Sequence, residues 1–253
     1  MQVVELTQST AHRLPPSAGL GAAWVVVSSE HALFELDAAT GRRLARIALP
    51  LAPGDVAVAP KGAPAKVVWV GMLTAVPGTP DTLAKVDPRT RRIVGTFPVP
   101  DGIGSLVGTP TAVWVVHRLS ASVSRFNLTS QSFDRPVSVG PSRLGDAAYG
   151  AGAVWVTSPL EDTVSRIDDK TGKKVAIGVG RRPTGIAAYD GQIWVTSFID
   201  HTIWRINPAT RRPVGDRVPV PLNPYALAVT GDSVWLTAVG QGEVARVRYT
   251  AAR

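Results

Sequence analysis

The sequence predicts an all-β chain, a six-bladed β-propeller with four antiparallel strands per blade. A tryptophan recurs at Trp24, Trp69, Trp114, Trp155, Trp194 and Trp235, spaced 45, 45, 41, 39 and 41 residues apart. An Asx-headed turn follows each of the first five, and no run in the chain carries the 3.6-residue period of a helix. A period of about 40 residues that holds several short strands is the mark of a propeller blade. Only Trp204 stands off the series.

Within a blade, strand b carries the tryptophan in runs such as AAWVVVS, TAVWVVH and GQIWVTS. Thirteen residues on, at Asp37, Asn127, Asp168 and Asn207, and later at Asp87 in the second unit, the turns read DAATG, NLTSQ, DDKTG, NPATR and DPRTR. An Asx side chain that accepts from its own backbone makes such a hairpin between strands c and d. Small-residue runs before each tryptophan, such as PTGIAAYDGQIW, supply strand a, and runs such as RRPVGDRVPV supply strand d. The last unit ends after a third strand, EVARVRYTAAR, while the first ten residues precede the first strand a. Val3 to Leu6 are therefore expected to pair beside Val244 to Tyr249 and close the last blade, leaving no open sheet edge. One domain over 1–253 follows.

Apolar residues at 45% and charged residues at 18% are a globular composition. With no cysteine, disulfide frameworks, thiolate metal sites and cysteine nucleophiles are excluded. The opening MQVVELTQSTAHRLPP has neither a basic segment nor an apolar core, and no apolar run reaches 18 residues. A cytoplasmic, membrane-free, monomeric protein is the expectation. No GxSxG, P-loop or GxGxxG is present.

Units such as PTGIAAYDGQIWVTSFIDHTIWRINPATRRPVG resemble the YVTN/NHL-type propeller repeat shared with streptogramin lyases and bacterial sensor propellers. The resemblance covers nearly the whole chain and implies the fold. Lyases of that kind use a Glu-x-His after strand b, a further His in strand a, and a divalent metal. Here Ser158 and Ser197 stand where that Glu would fall, Leu160 and Ile199 where that His would, and Thr184 or Tyr225 at the strand a position. The triad does not transfer, so no metal and no cofactor is expected. The resemblance to ring-forming propellers of polyketide and polyether biosynthesis is looser.

In a propeller the b–c and d–a connections share one rim of the channel. Leu119, Leu160 and Ile199 fall at one offset after the tryptophan, and Met72, Phe198 and Val239 add to an apolar wall. The d–a connections bring Leu144 and the polar Asp101, Arg143, Arg182 and Tyr225; His117 ends strand b of the third blade. An apolar mouth with few convergent polar groups suits a large apolar metabolite that has one anionic or carbonyl end. His117 or Asp101 is the candidate for proton transfer, Tyr225 for a hydrogen bond to a carbonyl, and the arginines for the anion. The expected chemistry is elimination or intramolecular ring closure, resting on orientation. The alternative is a non-catalytic sensor or interaction propeller. The long second-blade loop GMLTAVPGTPDT is a candidate lid.

The net charge of +8 collects in the c–d hairpins, at Arg42, Arg43, Arg89, Arg91, Arg92, Lys170, Lys173, Lys174, Arg211 and Arg212, on the face away from the mouth. No aromatic platform accompanies them, so solvated hairpin tips are expected rather than a nucleic-acid surface.

Overall fold

Short runs of β-branched and aromatic residues, each bounded by Gly, Pro or Asx, favour strands packed on both faces. The computed structural model describes residues 17–58, 60, 66–239 and 242–248. The chain divides into two compact units, one within Met1–Leu119 and Ser124–Asp134, the other within Ser120–Val123 and Arg135–Arg253.

In the first unit, β1 (Ser17–Gly19), β2 (Ala22–Val27), β3 (Ala32–Asp37) and β4 (Arg43–Ala48) pair in sequence order as one antiparallel sheet. A second sheet holds β5 (Ala52–Val58), β6 (Val68–Leu73), β7 (Asp81–Asp87) and β8 (Arg92–Val99). A third holds β9 (Ser105–Gly108), β10 (Ala112–Val116) and β11 (Ser122–Asn127), whose fourth strand is split into β12 (Ser132–Phe133) and β13 (Val137–Ser138), the latter and its partners Ser122 and Val123 being counted with the second unit. The split falls at Arg135-Pro136, where proline has no N–H for a ladder.

The second unit repeats the plan. β14 (Ala147–Gly150), β15 (Ala153–Ser158), β16 (Thr163–Asp168) and β17 (Lys174–Gly178) form one sheet. The next holds β18 (Pro183–Tyr189), β19 (Gln192–Ser197) and β20 (Thr202–Asn207), with a fourth strand split into β21 (Arg212–Pro213) and β22 (Val218–Pro219) around Gly215. The last has β23 (Pro224–Thr230), β24 (Ser233–Ala238) and β25 (Glu243–Arg248). The expected closing strand at Val3 to Leu6 lies outside the described residues.

The recurrent tryptophans are the core. Trp24, Trp69, Trp114, Trp155 and Trp194 are each at most 2% exposed. Trp24 packs on Val56, Val58 and Val70 of the next sheet, and Trp69 on Val113, Val115 and Phe126, with ring centroids of Trp69 and Phe126 5.4 Å apart. Trp155 meets Ile186 and Val195, and Trp194 meets Val229 and Leu236. Each of these four indoles thus joins its own sheet to the following one, at about 25 cal/mol per Å² of apolar area removed from water, while Trp235 is half-buried.

The hairpins form as the sequence predicts. Oδ1 of Asp37, Asp87, Asn127, Asp168 and Asn207 accepts the backbone N–H two residues on, at 2.8–3.2 Å. The same turns hold three carboxyl groups below the usual carboxylate range, Asp37 chiefly through the Thr40 hydroxyl, Asp87 through the Arg89 N–H and Asp168 through the Thr171 N–H. Among the described residues no helix is long and apolar enough to cross a membrane.

A second tie operates in the second unit, through hydroxyls. Thr157 of β15 donates to the Thr184 carbonyl at 3.0 Å, Thr184 of β18 to the Pro224 carbonyl at 3.0 Å, and Thr196 of β19 to the Tyr225 carbonyl at 3.2 Å. All three threonines are buried. Thr157 and Thr196 stand two residues after their tryptophans, where the first unit has Val26, Gly71 and Val116.

Candidate functional site

The b–c and d–a connections of each unit leave the same end of its sheets, because strands b and c are antiparallel neighbours and strand a starts where b stops.

At this end of the first unit, Leu119 is 69% exposed on the loop after β10, and its N–H donates to the carbonyl of Asp101 at 3.0 Å. Asp101 is exposed on a turn with φ +60°. Two expected rim residues lie elsewhere. Met72 is 1% exposed and packs in the core between the first two sheets. His117 is 1% exposed, with Nδ1 3.1 Å from the Gly102 carbonyl and Nε2 2.7 Å from Ser124 Oγ. A carbonyl only accepts, so Nδ1 carries the proton and Nε2 of the neutral ring accepts from the Ser124 hydroxyl. Met72 and His117 are both three residues after their tryptophan, where Ser158, Ser197 and Ala238 are buried as well. That position pairs with the start of strand a, as in Pro53↔Met72 and Pro183↔Ser197, and is part of the packed sheet.

Burial lowers the His117 pKa below its ordinary 6.5, outweighing the opposing effects of the Gly102 carbonyl and of Asp101. The unfolded chain therefore takes up a proton near pH 6.5 that the folded chain refuses. Stability from this group is complete above that pH and falls as the pH drops from 6.5 toward the lower folded value. The expected result is a lower urea midpoint at pH 5.5 than at pH 7.5, and a smaller difference in His117→Gln; an equal difference in both proteins would assign the loss to other groups. The hairpin aspartates act in a separate, more acidic window, below their ordinary 3.8.

Two buried carboxylates escaped the sequence reading. Asp81, 1% exposed, accepts the N–H groups of Thr74 and Ile103 at 2.9 and 2.8 Å and pairs with Arg118 Nε at 3.1 Å. Asp55, 5% exposed, accepts from Val56 and, across to β9, from Leu106 at 2.7 Å. By ladder register Asp55 stands two residues before the residue that faces the tryptophan, at the place of Ser105, Asp146 and Gly185 in other sheets.

At the corresponding end of the second unit, Leu160 is 74%, Val239 59%, Leu222 50% and Ile199 43% exposed. They sit on the b–c loops of three consecutive sheets and on the last d–a connection. Leu222 was not anticipated; it lies in the run VPVPLNPY. The Arg182 guanidinium stacks over the Phe198 ring, 4.7 Å from its centroid. Its backbone, at φ +55°, donates to Asp162 Oδ1 at 2.8 Å. Arg181 grips Asp200 through Nε at 2.7 Å and through its N–H at 2.8 Å, which holds the Asp200 carboxyl below its ordinary range. Arg143 is exposed, and Leu144 and Tyr225 are half-buried. The structure thus joins Arg182 to Phe198 and sets Leu160 and Ile199 on neighbouring loops, whereas His117, Asp101, Leu119 and Met72 belong to the other unit.

Where the resemblance to streptogramin lyases implies a Glu and a His, this chain has serine and an aliphatic residue. Ser158 and Ser197 are buried, Leu160 and Ile199 are apolar. Among the described residues no three His, Asp or Glu side chains converge as a metal site would need.

Six successive antiparallel sheets, each built around a strand b with its tryptophan, define an all-β six-bladed β-propeller. The solved structures to which it is similar bear this out. A streptogramin B lyase superposes with TM-score 0.72 at 15% identity, over 94% of this chain and 83% of that one. Virginiamycin B lyase from Staphylococcus aureus gives 0.70 at 14% identity, over 94% and 84%. A protein of unknown function from Desulfotomaculum acetoxidans gives 0.72 at 15%, over 90% and 79%. At such identities the likeness establishes the fold. No family model and no curated protein sequence matches the chain.

Proposed function

We propose that the loop end of the second unit binds a large, mostly apolar small molecule and promotes its elimination or ring closure without a metal, the whole chain acting as one domain. The observation that carries this is the set of four large aliphatic side chains, 43–74% exposed, on consecutive loops at that end. Exposed apolar clusters of this kind mark binding surfaces. Arg143 and Arg182 supply the charge for an anionic or carbonyl group. Tyr225, held through its carbonyl by Thr196, is the hydrogen-bond donor for the reacting oxygen. Two neighbours are, by name, a streptogramin B lyase and a virginiamycin B lyase, which supports a small-molecule ligand; a polyketide or polyether is the class of apolar metabolite proposed. Asp101 belongs to the first unit and is no part of this site; His117, with both nitrogens engaged, acts on the Gly102 turn.

That engagement of His117 is the observation that favours the other reading, a non-catalytic sensor. One experiment addresses both. Anilinonaphthalene sulfonate, an apolar body with one anionic end, is expected to bind the protein, and the double variant Leu160→Ser, Ile199→Ser to bind at least tenfold more weakly, a loss of about 1.4 kcal/mol or more. Leu119→Ser should bind as the parent does. Equal loss in both would remove the second-unit site. Metabolite captured from lysate and identified by mass spectrometry then serves as substrate, and unchanged conversion in Tyr225→Phe would leave binding alone.

A further inference from the structure

The opposite end of the second unit, where the hairpins turn, carries a depression of ≈ 610 Å³. Its walls are the turns at Ala151 and Gly191 and the hairpin tip at Pro208 and Ala209, and its charged side chains are Arg166 and Arg211. The repeat explains why two guanidiniums meet there.

The fifth residue of each c–d hairpin donates its N–H to the carbonyl of the turn-heading Asx at 2.8–2.9 Å and adopts a left-handed backbone, with φ between +52° and +70°. Glycine suits that conformation and is present at Gly41 and Gly172. Arg91 and Arg211 occupy it instead, at φ +59° and +58°, against the preference of a residue with a Cβ. Arg91 has a visible reason: its Nε pairs with Glu35 Oε2 of the preceding sheet at 3.0 Å. Glu35 stands directly across from Trp24 in the β2–β3 ladder. In the second unit the residue across from Trp155 is Arg166. Arg211 therefore has, at the place of Glu35, another arginine, and the ion pair of the first unit becomes two like charges lining one depression. Arg166 has a contact of 3.7 Å with Asp168, whose other oxygen is committed to its own turn. The hairpin of Arg211 is headed by Asn207, a neutral residue where Asp37, Asp87 and Asp168 head three others. Asp190 lies beside Gly191, exposed, and no carboxylate lines the depression.

We infer that this depression is an anion site for a phosphate-bearing small molecule, separate from the proposed apolar site at the other end of the sheets. Two forked guanidiniums suit the two negative charges of a phosphate group better than the single charge of a carboxylate. The volume lies within the range of small-molecule pockets, about 300–1,000 Å³.

Inorganic pyrophosphate is the probe, titrated calorimetrically into the full chain at low ionic strength. The expected result is one-to-one binding that weakens at least tenfold in Arg211→Gln and changes less than twofold in Arg92→Gln, an exposed arginine of another hairpin. Glutamine keeps the turn, since Gln131 occupies the same position at φ +52° in the third sheet's hairpin. Arg166→Glu is expected to abolish binding while holding the thermal midpoint at or above the parent value, because it rebuilds the Glu35–Arg91 pair. No binding at millimolar pyrophosphate, equal losses in Arg211→Gln and Arg92→Gln, or a lowered midpoint in Arg166→Glu would each overturn the inference. Tighter binding of a DNA duplex than of pyrophosphate would overturn it in favour of a nucleic-acid surface.

Discussion

Replacing Gly185 by alanine is expected to lower stability by about 3 kcal/mol, at the upper end of the usual cost of overpacking. A Cβ on Gly185 would lie 2.5 Å from the Tyr225 carbonyl oxygen and 2.9 Å from Ala226 Cα and Leu227 N. These are backbone atoms of the neighbouring β23, so no side chain can swing aside. β18 already carries a register shift between Pro183 and Ile186, and Gly185 N–H is committed to Thr196 Oγ1 at 2.9 Å. The strand can retreat only by breaking the hydroxyl bond that holds Tyr225. For a chain of this size, about 3 kcal/mol is roughly 6–12 °C in thermal midpoint, readable by scanning calorimetry. Gly178→Ala is the control: its Cβ would meet nothing within 4 Å, and it should stay within about 0.5 kcal/mol of the parent. Similar midpoints for the two variants would refute the close approach of β18 and β23.

Asp81→Ala is expected to cost a similar amount in the first unit. It orphans the N–H groups of Thr74 and Ile103 and leaves Arg118 without its counter-charge. Breaking a fully buried pair costs about 3–5 kcal/mol. Arg118 is 36% exposed and regains water, which places the expectation near the low end, about 3 kcal/mol. Asp81→Asn keeps the shape and one carbonyl acceptor and should lose about half as much. Urea unfolding measures both, and hydrogen exchange at Ile103 reports the orphaned donor. Losses below about 1 kcal/mol in both variants would show that Asp81 is dispensable.

These two sites mark where the sequence stopped being readable. The five hairpins could be placed from their own residues, because an Asx turn is closed within five positions of chain. The tryptophans were legible for a related reason: one large apolar residue in a strand packed on both faces has nowhere to go but the core. Asp55 and Asp81 are different, since their partners Leu106 and Ile103 are 51 and 22 residues away. Nothing local separates a buried aspartate from a solvated one. His117 was placed on the rim because an ionisable ring replaces small or apolar residues there, and Met72 because the b–c connection reads as starting at Gly71; the ladder keeps that position inside. Leu160 and Ile199 were legible because they follow the strand by enough residues to leave the ladder.

The threonine contacts also bear on how such a chain could be rebuilt or could have evolved. Copies of one ancestral segment would at first be exchangeable, like links of a chain. Here Thr157, Thr184 and Thr196 each reach a carbonyl in the adjoining segment, whereas Asp55 and Asp81 meet donors peculiar to theirs. Transplanting the segment of β18–β22 into the place of β5–β8 would take away the Asp55 and Asp81 carboxylates that hold the Leu106 and Ile103 N–H groups. Each segment has become specific to its position, and a shuffled variant would have to move its neighbour along with it.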